Sequence, residues 1–334
     1  MVRYSKPWTS LDEQMERLAT RGVDVEPRER TIALLGAVGY YRLTGYLYPF
    51  LRSERHADER GHVRATIEDR YRPGTSISDV AQVLDFDRRL RLLVLDGVER
   101  IEVATRMRVG YVLGRRCAFA HLDPDTFIPS FVSHQLDGSG WPTRPSKHAE
   151  WLERVATRRD GSDEAFVAHF RDKYDGEMPI WALTEILELG HLSRLYQGLA
   201  DTAAQEIADA FGAPTKKLMA SWLASVNYVR NVAAHHARLF NRKLQNAPGR
   251  PRPGVVPLLD HLRAEDLPKG AFGVYNALAV IAYLVRSVGD ESGWNHRVVA
   301  LLDGFPSAPG LTVAALGVPV RWRELELWRS VPSS

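Results

Sequence analysis

Between Ser76 and Gly114 the chain reads SISDVAQVLDFDRRLRLLVLDGVERIEVATRMRVGYVLG, with no proline and with apolar residues at helical spacing throughout. A Ser/Asp pair at its start fits a helix cap, and Gly97 is its one weak interior point. So long a helix predicts a scaffold on which shorter elements pack. Most other segments also show helical rather than alternating periodicity, so the pattern predicts an all-α protein.

The shorter elements follow from caps and breakers. TSLDEQMERLATRG predicts a helix capped by Thr9 or Ser10 and ended at Gly22, and RERTIALLGAVGYYRLTGYLYPF a second helical unit broken near Gly45 and Pro49. DPDTFIPSFVSHQLDGSGWPTRPSKH, dense in Pro, Gly and Ser, predicts an irregular connection, with helices resuming from Trp151. PIWALTEILELGHLSRLYQGL predicts a helix pair starting at Pro179 and broken at Gly190. APTKKLMASWLASVNYVRNVAAHHARLFNR predicts a helix opening at Pro214 and running to the breaker NAPGRPRPG. That breaker divides the chain into residues 1–247 and a C-terminal helical extension, 248–334. In the extension, VYNALAVIAYLV predicts a buried helix and RWRELELWRS an amphipathic one.

Composition removes several classes of function. A 45% apolar content can bury a substantial core, and the apolar runs are too short to span a bilayer. Cys117 is the only cysteine, which excludes an intrachain disulfide and a thiolate metal cluster and fits a cytoplasmic protein. The net charge of +3 comes from nearly balanced acids and bases, so any basic site must be local. There is no Walker-type glycine loop, no HExxH and no nucleophile elbow. Asp85 and Asp87 lie too far apart in angle to clamp a metal by themselves. No cofactor and no metal are expected.

The stretch NYVRNVAAHHARLFNR carries the densest chemistry. On a helical wheel Trp222, Val226, Val229, Val232, Ala233, Leu239 and Phe240 fall on the core side, and His236 falls with them. Asn227, Asn231, His235, Arg238 and Arg242 form the opposite stripe, with Arg230 at its flank. Asparagine stabilises an exposed helix face less than Lys, Glu or Gln would, so two of them on one stripe suggest a task. Arginine's planar fork matches phosphate, and histidine gives and takes protons near neutrality. Together they suit phosphodiester chemistry.

Other candidates carry less. Arg116 and His121 repeat the Arg/His spacing but leave the helix between Gly114 and Pro124, which makes them a decoy. Glu99, Glu102 and Arg106 share a face of the long helix, with Arg88 earlier on it, as an ion-pair network. Glu102 and Arg106 are also candidates to line the same cleft as Arg230 and His235 and to orient that pair. Tyr40, Tyr41, Arg42, Tyr46 and Tyr48 mix aromatic and basic character suited to single-stranded bases, although aromatics at helical spacing are more often core. His169 reads as a packed histidine and His191 as a helix-capping one.

Taken in order, YYRLTGYLYPF, FDRRLRLLVLDGVERIEVATRMRVGYVLG, FVAHFRDKY, PIWALTEILELGHLSRLYQGLA and VNYVRNVAAHHARLFNR resemble the Abi-like bacterial abortive-infection proteins of the AbiD/AbiF type, themselves similar to HEPN-superfamily proteins. The resemblance covers roughly residues 5 to 245. It implies a HEPN-type helical bundle in which one helix carries Arg, a following polar residue and then His, here Arg230, Asn231 and His235. A gap of five residues, to His236, also lies within the family's range; the wheel favours His235. The resemblance implies a metal-independent endoribonuclease site, often completed across a homodimer, with RNA as substrate. It further implies an antitoxin or regulatory RNA as partner in anti-phage defence. A non-catalytic RNA-binding member of the same superfamily and a plain protein–protein interface are the two alternatives.

Overall fold

The computed structural model describes residues 3, 5, 7–57, 63–136, 138–139, 142–264, 273–289 and 292–329. Within these residues the protein is all-α apart from two antiparallel ribbons. Helix α1 (Leu11–Thr20) starts at Ser10, whose hydroxyl accepts from the Glu13 N–H while the Glu13 carboxylate accepts from the Ser10 N–H, a reciprocal capping box. Gly22, with φ 96°, follows its end.

The next unit breaks earlier than the sequence suggests. Helix α2 (Arg28–Val38) ends and α3 (Tyr40–Leu47) begins at Gly39, whose φ of 83° and ψ of 146° are open to glycine and costly for other residues. Gly45 stays inside α3, and Pro49 sits in a 3₁₀ turn that follows. From there the chain makes a hairpin that helical periodicity had hidden. Strand β1 (Leu51–Ala57) pairs antiparallel with β2 (Val63–Tyr71), Leu51 facing Tyr71 and Ala57 facing Val63. Strand β1 is rich in charge and lacks the apolar alternation that announces a half-buried strand, whereas β2 carries it at Val63, Ala65, Ile67 and Tyr71.

Helix α4 (Ile77–Arg116) is the scaffold, two residues longer than the sequence pattern at its C-terminal end and opened by a Ser76–Asp79 capping box. Buried residues recur along it at intervals of three and four from Ile77 to Leu113. The connection that follows holds a single turn, α5 (Pro129–Val132), and a two-stranded ribbon, β3 (Gln135–Leu136) with β4 (Pro142–Arg144). Helices resume at α6 (Lys147–Asp160), four residues before Trp151, and α7 (Ala165–Tyr174). His169 is exposed on α7 against the edges of Phe170 and Tyr174 rather than packed inside, a correction to the sequence reading.

The anticipated helix pair is a single turn, α8 (Ile180–Leu183), and α9 (Leu189–Gly198), and the break falls at Leu187–Glu188. Gly190 lies within the first turn of α9, so it is not the breaker. Helix α10 (Asp201–Ala210) leads to α11 (Lys216–Ala234), capped by Thr215. Helices α3, α8, α9, α10, α11, α12 (Val274–Ser287) and α13 (Trp294–Asp303) all pack on α4. The α12 run is buried along nearly its whole length. The chain's last described segment forms 3₁₀ turns, Trp322–Glu324 and Glu326–Trp328, in place of the expected amphipathic helix. Trp322 and Trp328 are both buried there.

Candidate functional site at the end of α11

Helix α11 stops at Ala234, earlier than its periodicity predicts. His235 caps it, His236 takes φ 57°, and two backbone bonds close the end: His236 N–H to Ala233 O at 3.0 Å and Ala237 N–H to Val232 O at 2.9 Å. This is the Schellman pattern, with histidine in the left-handed position that glycine usually takes. The five-residue stripe is therefore broken. Asn227, Arg230 and Asn231 remain on the helix, His235 sits at its cap, and Arg238 and Arg242 belong to the loop beyond. His235 and His236 are both exposed, so the core position the wheel gave His236 does not hold.

The loop after the helix is held from two sides. From α3, Arg42 Nη2 donates to His236 O at 2.7 Å. In return Arg238 Nη1 donates to Gly45 O, and its guanidinium lies 5.9 Å from the centre of the Tyr46 ring. Burial pushes the Arg238 pKa down, with the Tyr46 charge opposing. From α4, the buried Asp87 carboxylate accepts from Leu239 N–H at 3.1 Å and Phe240 N–H at 2.6 Å through Oδ1. Its Oδ2 accepts from Tyr46 Oη at 2.5 Å and from Arg91. Burial first, and then the Asp87 charge and hydrogen bond, push Tyr46 up to about 12. Arg242 Nε donates to Arg238 O at 2.6 Å, so Arg242 braces the loop.

Arg230 faces another way. Its Nη1 donates to Asn231 Oδ1 at 3.1 Å and lies 3.8 Å from the carboxylate of Glu188, the capping residue of α9. It shares a cleft of about 280 Å³ with Glu99, Glu102 and Arg106 over Leu95 and Val98 of α4. Glu102 and Arg106 are joined at 2.6 Å, and Arg106 Nε also donates to Leu187 O at 2.9 Å, which fixes the start of α9. Asn227 lies beside Gly190 of α9. Burial holds the His191 pKa below its ordinary value on the same turn, with Glu188 opposing. Val103, Met107 and Tyr111 of α4, with Trp181 against Gly110 and Gly114, form an apolar stripe, each residue half exposed or more, running from this cleft.

The remaining candidates separate. Arg116 ends α4 and pairs with Asp123, while His121 is buried in the turn beyond, away from the α11 loop. Tyr41 is exposed, Tyr40 half-buried, and Arg42 is committed to His236. Asp85 pairs with Arg88 and Arg89. Sequence reasoning weighed Asp87 only as half of a metal clamp and passed over Glu188. Asp87 had a signal, a carboxylate on the same face as Val83, Leu90 and Val94; Glu188 had none. Among the described residues no group of three or more His, Cys, Asp or Glu could hold a metal, and no helix is long and apolar enough to cross a membrane.

The joint is built from stretches far apart in sequence: Arg42 and Tyr46 from α3, Asp87 and Arg91 from α4, Glu188 from α9, and the loop after α11. No curated protein and no solved structure matches the chain. A family model described as Abi-like protein matches residues 33–241, which is more than half of the chain and takes in α3, α4, α9 and α11, and so the chain belongs to the Abi-like family.

Proposed function

We propose that this protein is a metal-independent endoribonuclease toxin of a bacterial abortive-infection system, a HEPN-type member of the Abi-like family of the AbiD/AbiF type. The observation that carries the reading is the Arg230–Asn231–His235 set at the end of α11. Arg230 faces an open cleft, and His235 stands exposed on a turn whose backbone is fixed by Arg42 and Asp87. Fixing the backbone around a proton-transfer group is what preorganised catalysis requires.

In the reaction, the RNA 2′-hydroxyl attacks the adjacent phosphorus. His235 takes the hydroxyl proton as the new P–O2′ bond forms, the P–O5′ bond breaks, and the proton is returned to the leaving 5′-oxygen. The products are a 2′,3′-cyclic phosphate and a 5′-hydroxyl, and DNA is spared for want of the 2′-hydroxyl. Arg230 stabilises charge on the phosphoryl oxygens. Its 3.8 Å contact with Glu188 is too long for a hydrogen bond, so a phosphate in bidentate contact replaces it at a gain. Asn231 holds the guanidinium at the cleft.

His235 is not among the residues that line the Arg230 cleft, which supports a composite site in a homodimer. The apolar stripe of Val103, Met107, Tyr111 and Trp181 beside the cleft is the surface a second copy would cover. An uncontrolled ribonuclease would kill its host, so an antitoxin or a regulatory RNA restrains it in the cytoplasm.

The test is cleavage of end-labelled RNA in excess EDTA, with the product ends analysed. Wild type is expected to leave cyclic phosphate ends, and His235→Ala and Arg230→Ala to cut about 10²- to 10⁴-fold more slowly while remaining folded. RNA that is bound but left whole would make the site a place where RNA is held. A monomer in sedimentation that still cuts would overturn the composite site.

A further inference from the structure

A groove of about 1070 Å³ lies between α1 and α3, closed at one side by β2 and by Arg238. Two tyrosines open into it, Tyr41 from α3 and Tyr48 from the 3₁₀ turn that continues it. Tyr41 is 79% exposed and Tyr48 50% exposed, and Thr44 sits between them. Seven residues separate the rings, about 10 Å along a helix axis. Opposite them stands Arg17 of α1, with Arg238 at the end of the groove.

Acids and arginines are equal in number in the groove, so what it offers a phosphate is the placing of its guanidinium groups rather than a net charge. Glu13 is turned to the Ser10 N–H of the α1 cap and keeps its charge, while Asp69 pairs with Arg21. Glu13 and Glu16 then share the groove with Arg17 and Arg238, and among the described residues neither arginine forms an ion pair. Exposed aromatic faces interleaved with arginine forks are the pattern that holds unpaired bases and tracks their phosphates. A duplex hides its bases in the stack and cannot use the tyrosines.

The groove is also joined to the α11 turn. Arg42 of α3 holds His236 O, and Arg238 returns a bond to Gly45 O, so the helix that presents Tyr41 and leads into the Tyr48 turn is the helix that fixes the loop carrying His235. We propose that this groove is a single-stranded RNA subsite in which bases stack on Tyr41 and Tyr48 and phosphates meet Arg17 and Arg238. The strand then runs on toward the α11 turn. Cutting at that turn rests on the ribonuclease reading above; binding in the groove does not.

The test is fluorescence anisotropy of a short labelled single-stranded RNA and its duplex, in EDTA, with wild type and with His235→Ala. Tyr41→Ala and Tyr48→Ala are each expected to weaken single-strand binding about 5- to 150-fold, and Tyr41→Phe to bind as wild type does because the ring remains. Arg17→Ala is expected to lower the salt slope by about one. Tyr41 is so exposed that its replacement leaves the fold intact, which circular dichroism checks.

Unchanged affinity in both alanine variants, equal affinity for duplex and single strand, or no RNA binding at all would overturn the subsite. So would a Tyr41→Ala protein that loses self-association or an acidic protein partner while keeping RNA, since tyrosine and arginine also favour protein interfaces. The two readings fail separately. Cleavage that needs His235 with RNA affinity indifferent to the tyrosines removes the groove alone. Affinity governed by the tyrosines with RNA left whole removes the ribonuclease alone.

Discussion

His236 is where one backbone angle decides the geometry of the site. Its φ of 57° turns the chain out of α11, and a side chain with a Cβ pays about 1 kcal/mol for that region, less for histidine than for a β-branched residue. Replacing it by glycine removes this cost and adds part of it back as unfolded-state entropy. His236→Gly is therefore expected to raise stability by about 0.5 kcal/mol, read as a higher urea midpoint at unchanged slope, and His236→Val to lower it. If His235 is the proton-transfer group, His236→Gly also keeps RNA cleavage. A loss of cleavage equal to that of His235→Ala would transfer the role to His236. Nothing in NVAAHHARLF announces the turn, because the helical apolar spacing runs on to Leu239 and Phe240. Those two residues are indeed buried, but their N–H groups go to Asp87 instead of to a continuing helix.

Among the elements, α4 shows what a sequence states and what it leaves out. Its capping box, its length and its apolar spacing were all legible, and Gly97 read only as a weak point. In the structure Gly97 lets α13 approach. A Cβ there would lie 2.5 Å from the Trp294 indole, which is buried and tied by Nε1–H to Leu93 O at 2.9 Å. Alanine would gain up to about 1 kcal/mol of helix propensity. Forcing an indole that cannot swing away costs about 1–3 kcal/mol, so the clash wins. Gly97→Ala is expected to be net destabilising, with a lower urea midpoint and a blue-shifted or red-shifted Trp294 emission; a midpoint above wild type would show that α13 yields freely. The β1–β2 hairpin was missed although β2 alternates at Val63, Ala65, Ile67 and Tyr71, because its partner β1 is polar and charged from Arg52 to His56 and gives no second alternating run to pair with it.

At the scale of the whole molecule, burial couples the fold to pH through two histidines. Burial lowers His121 to about 4, helped by the nearby His148 charge, and lowers His261 to about 4 against the opposing Leu258 backbone hydrogen bond and Asp260 charge. Between about 6.5 and 4 the unfolded chain binds protons that the folded chain refuses. The stability these groups contribute is therefore complete above about 6.5 and is lost as pH falls toward 4, by up to about 3 kcal/mol for each. A urea midpoint that declines over that window in wild type, and less steeply in His121→Leu, is the expected result; identical slopes would remove His121 from the account. The sequence by itself determined the all-α class, the scaffold helix and the buried α12, and it placed Arg230, Asn231 and His235 close together in the chain, because periodicity, caps and neighbouring residues are local. Only the tertiary structure decided where α11 stops, that Asp87 and Arg42 hold the loop beyond it, and that Glu188 meets Arg230. Those outcomes depend on hydrogen-bond partners distant in the chain, which no local pattern encodes.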